Sequence, residues 1–157
     1  MILKGVNLIR EARISDAQQV CSVLRTSITE LCELDHRRNK KELDAWLANK
    51  TVKNIESWIN NERINFFVAE NNGKIVGVSS ISHDGFIGLC YILPEVKGLG
   101  FGRQLLKVAE DSVLNLDVQL FTLESTITAK GFYEYFGYVQ TAIKDNGLNY
   151  RKFKKSY

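Results

Sequence analysis

The stretch YILPEVKGLGFGRQLL, from Tyr91 to Leu106, decides how the rest of the chain is read. It opens on an apolar run that stops at Pro94, and then passes through Lys97-Gly98-Leu99-Gly100-Phe101-Gly102. It continues into a segment that carries Leu105, Leu106, Ala109 and Val113 at helical spacing. A strand, a glycine-rich loop and an amphipathic helix in that order suit an anion. Several backbone N–H groups converge on a phosphate oxygen only where the backbone takes unusual angles and no side chain intervenes, and glycine meets both conditions. The helix starting near Gly102 or Arg103 adds unpaired amides and the positive end of its dipole, and Lys97 and Arg103 add mobile positive charge. The plainer alternative is a turn that only joins strand to helix.

Upstream, from Ile64, three apolar runs are separated by Asn72-Gly73 and Asp84-Gly85, dipeptides that accept positive φ at both central turn positions. This predicts an antiparallel meander leading into the glycine loop. Downstream, the run Val118 to Leu123 predicts a strand reached through a crossover helix, hence parallel pairing and a central place in the sheet. Ala129, Phe132, Tyr133 and Phe136 share one helical face ending at Gly137, and Tyr138 to Ile143 pairs across Asn146-Gly147 with Leu148 to Phe153. Toward the N-terminus, Val6 to Ala12 predicts a first strand, and Ser15 with Gln18 resembles a capping box. The helix so opened carries Val20, Leu24, Ile28 and Leu31. A break at Leu34 to Asn39 precedes two short helices, whose Trp46 and Trp58 are expected in the core.

Bulk composition narrows the classes. The 157 residues suit a single domain spanning 1–157, and 45% hydrophobic with 25% charged residues argues against disorder. A net charge of +3 is too mild for a nucleic-acid interface, and no window approaches the roughly 20 apolar residues of a membrane span. Three cysteines and two histidines match no metal-ligand spacing, so no metal is expected. A cytoplasmic location follows as the expectation, and a homodimer is left open. The basic tail, Arg151, Lys152, Lys154 and Lys155 with Phe153 and Tyr157, reads as a charged final edge strand that resists aggregation.

Two phosphate-binding scaffolds can be set aside. The nucleoside-triphosphate loop needs lysine followed by serine or threonine at the helix start, whereas Gly102 is followed by Arg103 and Gln104. A dinucleotide fold wants its first glycine at the strand end and a parallel sheet before it, but here Pro94 to Lys97 intervene and a meander precedes.

The residues resemble the GNAT superfamily of acetyl-CoA-dependent N-acetyltransferases. That family's signature has glutamine or arginine, two residues, glycine, one residue, then glycine or alanine; Lys97, Gly100 and Gly102 stand at those positions, with lysine replacing the usual first residue. Ala129, Phe132, Tyr133, Gly137 and Tyr138 match the family's later helix, with Thr126 in place of a frequent asparagine. Residues Thr26 to Ile59 are also similar to one bacterial subgroup. The resemblance implies an α/β fold of the α+β type: a mixed, mostly antiparallel central sheet flanked by helices, its parallel strand pair splayed at the cofactor site. It implies transfer of an acetyl group from acetyl-CoA, as cosubstrate, to an amine-bearing acceptor by direct attack. By the same resemblance Lys97, Gly98, Leu99, Gly100, Phe101, Gly102 and Arg103 hold the pyrophosphate, Ile92 and Ala129 meet the pantetheine arm or thioester, and Tyr133 serves the leaving thiolate.

A lysine-like amine with pKa about 10.4 lies roughly 3 units above neutrality and a thiol near 8.5 only about 1.5, so help in removing a proton matters more than help in supplying one. Glu30, Glu33, Asp35 and His36, at the end of the first helix, are the candidate bases. A catalytically silent acyl-CoA-binding module and a nucleotide-binding protein are the alternatives.

Overall fold

The computed structural model describes residues 7–144 and 147–154. Strand β1 (Asn7–Glu11) leads through a 3-10 turn into helix α1 (Ala17–Leu31), followed by α2 (Glu33–His36), α3 (Lys40–Leu47) and α4 (Val52–Asn60). The meander is β2 (Ile64–Asn71), β3 (Lys74–Ser82) and β4 (Phe86–Ile92). Then come α5 (Phe101–Asp111), β5 (Leu120–Ser125), α6 (Lys130–Tyr135), β6 (Val139–Lys144) and β7 (Gly147–Phe153). The strands form one seven-stranded sheet in the order β1-β2-β3-β4-β5-β7-β6, antiparallel throughout except for the β4–β5 pair.

The amphipathic pattern of α1 is realised, since Val20, Leu24 and Ile28 are fully buried, but its N-terminus is built differently from the expectation. Asp16, not the Ser15 and Gln18 pair, closes it: the Asp16 carboxylate accepts the Arg13 N–H at 2.7 Å and grips Arg10 through both oxygens at 2.8 and 2.9 Å. The Arg13 amide precedes α1, and the charged acceptor that holds it together with Arg10 fixes the chain's entry into the helix, whose own first amides take no side-chain cap. The expected break at Leu34 to Asn39 begins with the helical turn α2, and the chain reverses only at Arg37 and Arg38, both left-handed at φ 53° and 56°.

Asn72 and Gly73 make the expected turn with positive φ at both positions. At Asp84-Gly85 only Gly85 is left-handed, because the Asp84 carboxylate instead accepts the Phe86 N–H and the Ser82 hydroxyl, stretching the connection to His83–Gly85. Trp46 and Trp58 are half-buried at the periphery rather than inside the core. The basic strand β7 is not an edge. It lies between β5 and β6, with Lys152 paired to Glu110 at 2.5 Å and Lys154 donating to the Leu114 carbonyl at 2.9 Å, so its charges are packing partners. Asn146, Lys155 and Tyr157 lie outside the described residues, as does Val6.

Faces follow from strand alternation. Ser79 on β3 donates to the Leu105 carbonyl at 3.0 Å, which places α5 on its face, together with Cys90 and Ile92 of β4. Leu89 and Tyr91 point to the opposite face, where α1 packs.

Candidate functional site

The sheet opens at β4. Ser80 pairs with Leu89 and Ile81 with Ile87, so Gly88 is an extra residue without a partner on β3, a β-bulge. A bulge bends its strand, and pairing with β5 stops there: Phe86 meets Thr122 and Ile87 meets Leu123, with no further pair beyond. A Cβ at residue 88 would stand 3.0 Å from the Ser80 hydroxyl, so the position has little room for a side chain.

Past the bulge, β4 has a free side. The Leu93 N–H donates to the Val76 carbonyl at 2.8 Å, and antiparallel alternation then directs the N–H groups of Tyr91 and Leu89 to β3 as well. Those of Cys90 and Ile92 turn toward β5, which has diverged. The wedge contains a cleft of about 490 Å³ that runs from the glycine loop past β4 to the inner side of α1.

At the loop end, Gly98 and Gly100 are left-handed at φ 82° and 90°, and a Cβ at Gly98 would meet nothing within 4 Å. Lys97 and Leu99 donate to the Pro94 and Val96 carbonyls at 3.1 and 3.2 Å, which fixes the loop's shape. The amides of Gly98, Gly100, Phe101, Gly102 and Arg103 have no acceptor among the described residues. Helix α5 begins at Phe101, with Gly100 as its cap, so three of these amides belong to a helix N-terminus. Phe101 is buried beneath the loop as an anchor, while Leu99 is exposed.

Tyr133 lines the cleft, edge-on to Phe132 and Tyr138 and beside the Cys90 thiol. Burial first, then the neighbouring Cys90 and Tyr91, hold its hydroxyl well above the ordinary phenol range. It is therefore a donor, not a base. Burial likewise pushes the Cys90 thiol up to about 12, and this thiol also reaches the Gly102 carbonyl at 3.8 Å, tying β4 to the start of α5. Neither group is a nucleophile at neutral pH.

Ala129 lines the cleft, but its N–H is taken by the Thr126 hydroxyl at 3.0 Å and its carbonyl by the Tyr133 N–H at 3.2 Å. Threonine at this place thus closes the turn before α6 instead of reaching outward, and Ala129 offers the cleft only its methyl group.

The four candidate bases do not gather in the cleft. His36 is buried with Nε2 facing the Ile28 and Thr29 carbonyls, each at 3.1 Å, and Nδ1 accepting the Arg38 N–H at 3.1 Å, so it caps the end of α1. Asp35 accepts from the Ile127 N–H at 2.7 Å and from the Thr128 N–H and hydroxyl at 3.3 and 2.7 Å. Glu33 pairs with Arg38 at the surface and Glu30 is exposed outside the cleft. The carboxylate that does line the cleft is Glu124 on β5, which sequence reasoning missed. Its signal was available: it follows an apolar run, two residues beyond the last position at which a parallel partner faces the sheet's α1 side. Among the described residues no group of three or more His, Cys, Asp or Glu side chains is placed to hold a metal, and no helix is long and apolar enough to cross a membrane.

The same architecture recurs in solved structures. PaiA N-acetyltransferase from Thermoplasma acidophilum, in complex with coenzyme A, superposes with a TM-score of 0.84 at 17% identity over 95% of this chain and 99% of its own. A GCN5-related N-acetyltransferase from Rhodopseudomonas palustris gives 0.85 at 18% identity, covering 98% and 99%. The yncA protein from Salmonella typhimurium, with its cofactor acetyl-CoA, gives 0.71 at 15% identity over 97% and 96%. The model of the acetyltransferase (GNAT) domain matches residues 34–156, well over half of the sequence. This chain belongs to the GNAT acetyltransferases.

Proposed function

We propose that the whole chain is one catalytic unit that moves an acetyl group from acetyl-CoA to a primary amine by direct attack within a ternary complex. The observation that carries this reading is the continuity of one cleft between five unpartnered amides at the glycine loop and the diverging strands, with Tyr133 between them.

The amides of Gly98, Gly100, Phe101, Gly102 and Arg103 hold the pyrophosphate, helped by the α5 dipole and by Lys97 and Arg103. The outward N–H groups of Cys90 and Ile92 receive the pantetheine amide and the thioester oxygen, where fixed backbone dipoles cost no reorganisation as charge develops. Ala129 packs against the arm by its methyl group. In the reaction the ammonium gives one proton to solvent and its nitrogen attacks the thioester carbonyl carbon. The N–C bond forms, the C–S bond breaks, and the second amine proton passes to the departing thiolate. Tyr133, held protonated, donates a hydrogen bond to that sulfur. Full proton transfer from Tyr133 would run uphill, since a thiol ordinarily titrates near 8.5. The location that suits this chemistry is the cytoplasm.

The test has two steps. Coenzyme A should raise the melting temperature while NAD and ATP leave it unchanged, and an amine panel should release free thiol from acetyl-CoA. Stabilisation without thiol release from any amine would replace this reading with a silent acyl-CoA-binding module.

A further inference from the structure

We propose that Glu110 and Lys152 are positioning residues for Tyr133, their ion pair holding the far end of α6 against α5 so that the tyrosine hydroxyl faces the sulfur of the departing thiolate; this rests on the acetyl-transfer reading above. The α6 segment meets α5 at two places. At the start of α5 the contact is apolar: Phe132 lies against Gly102, where an added Cβ would stand 3.4 Å from its ring. Such a contact has no preferred direction and lets α6 pivot. The second contact is at Glu110, about 12 Å further along the α5 axis, and it is polar.

There the Tyr138 hydroxyl donates to Glu110 Oε2 at 2.7 Å, and the Lys152 ammonium pairs with the same oxygen at 2.5 Å. The two charged side chains are only 14% and 22% exposed. The ammonium also stands 4.8 Å from the centre of the Tyr138 ring and 5.8 Å from that of Phe121, so a carboxylate and two aromatic faces fix it. From Tyr138 the connection returns to the site. Its N–H donates to the Tyr133 carbonyl at 3.1 Å. Gly137, left-handed at φ 93°, makes the reversal between them, and a Cβ there would stand 3.3 Å from Lys152 Cδ, so the lysine stem supports the turn. The Tyr133 ring is flanked by one residue from each tie point, Phe132 at 5.2 Å and Tyr138 at 5.8 Å between centroids.

Stability alone does not call for this pair, because well-packed apolar residues of similar volume often hold a protein interior together as well. What they lack is direction. A charge-assisted hydrogen bond has one good geometry, and here that geometry sets the angle of α6 at the end that the Phe132 contact leaves loose.

The experiment measures kcat and KM by thiol release from acetyl-CoA with the best amine of a panel. Lys152→Met, which keeps most of the stem, should lower kcat about tenfold and change KM for acetyl-CoA less than about twofold, because the loop amides are untouched. Lys152→Arg should recover kcat to within about threefold of wild type. In a Tyr133→Phe background Lys152→Met should lower kcat less than about twofold further, since the hydroxyl that it positions has gone. The double variant Glu110→Met with Lys152→Met guards against a folding defect: it should melt within about 5 °C of wild type and still lose about tenfold in kcat. Wild-type kcat in Lys152→Met or in the double methionine variant, or an equal loss in the Tyr133→Phe background, overturns the positioning role and leaves acetyl transfer standing. Absence of thiol release from every amine, with coenzyme A still stabilising the protein, overturns both.

Discussion

The Asp35 carboxylate and the Thr128 hydroxyl meet at 2.7 Å across 93 residues of sequence. With the Ile127 and Thr128 amides on the same carboxylate, this contact ties the end of α1 and α2 to the turn that launches α6 and Tyr133. A residue that looked like a base candidate is a clamp. Asp35→Ala leaves two backbone amides and a hydroxyl to water, and a loss of about 2 kcal/mol is expected. That corresponds to a melting temperature lower by about 4–8 °C in a domain of this size. KM for acetyl-CoA should rise while the pH profile of kcat keeps its shape, because a clamp moves the wall of the cleft and takes no proton from the reacting amine. Disappearance of the acidic limb of that profile would show Asp35 to be a base after all.

The Arg10 and Asp16 pair makes a prediction about acid stability. Hydrogen bonding to Arg10 chiefly, and to the Arg13 amide, lowers the Asp16 pKa below its ordinary value against the opposing effect of burial. A depressed carboxylate stabilises the fold above its unfolded pKa near 3.9, and that stability drains away as pH falls through the folded value. Asp16→Asn leaves Arg10, whose side chain is 15% exposed, with Glu70 at 2.9 Å as its remaining carboxylate partner, and should cost about 2 kcal/mol near neutrality by urea unfolding. The gap between wild type and variant should narrow below about pH 4. A gap constant from pH 7 to pH 3 would contradict the assignment.

At the glycine loop, Gly98→Ala and Gly100→Ala each force a Cβ into a left-handed conformation, a strain of about 1–2 kcal/mol. The loop can escape by changing its backbone, which swings the amides away. KM for acetyl-CoA is expected to rise about tenfold or more with little change in kcat. An unchanged KM in both variants would separate the loop from cosubstrate binding.

Tyr133→Phe should lower kcat by about 100-fold with an amine of ordinary basicity, while KM for acetyl-CoA stays within a few-fold. Because burial, Cys90 and Tyr91 all raise its pKa, the hydroxyl remains protonated up to and beyond pH 10. Activity in the wild type should therefore show no falling alkaline limb from this group below that pH. Normal turnover by the phenylalanine variant would end its role at the sulfur.

Much of this was legible in the letters, for a physical reason. Turns and loops that need glycine announce themselves, so Asn72-Gly73, the Lys97 to Gly102 loop and Gly137 marked the element boundaries, and apolar periodicity marked what lay between. What escaped was long-range. Nothing near Asp35 in the sequence shows that its partners are Ile127 and Thr128, and nothing near Arg151 shows that β7 inserts between β5 and β6. His36 failed as a base for a similar reason: its ring is spent on the carbonyls of the helix it follows. Glu124 was passed over because a lone acid after an apolar run resembles any solvated strand end until the strand beside it diverges.

The five unpartnered amides at the start of α5 belong to the main chain, and every amino acid except proline carries one. Side-chain replacement around them can change reach, charge or strain, yet it cannot delete the groups themselves. Such a feature can persist through extensive divergence, provided the curve of the loop survives. The same chemistry locates its weakness: proline at position 98, or at 100 to 103, would remove a donor outright, where other substitutions merely displace it.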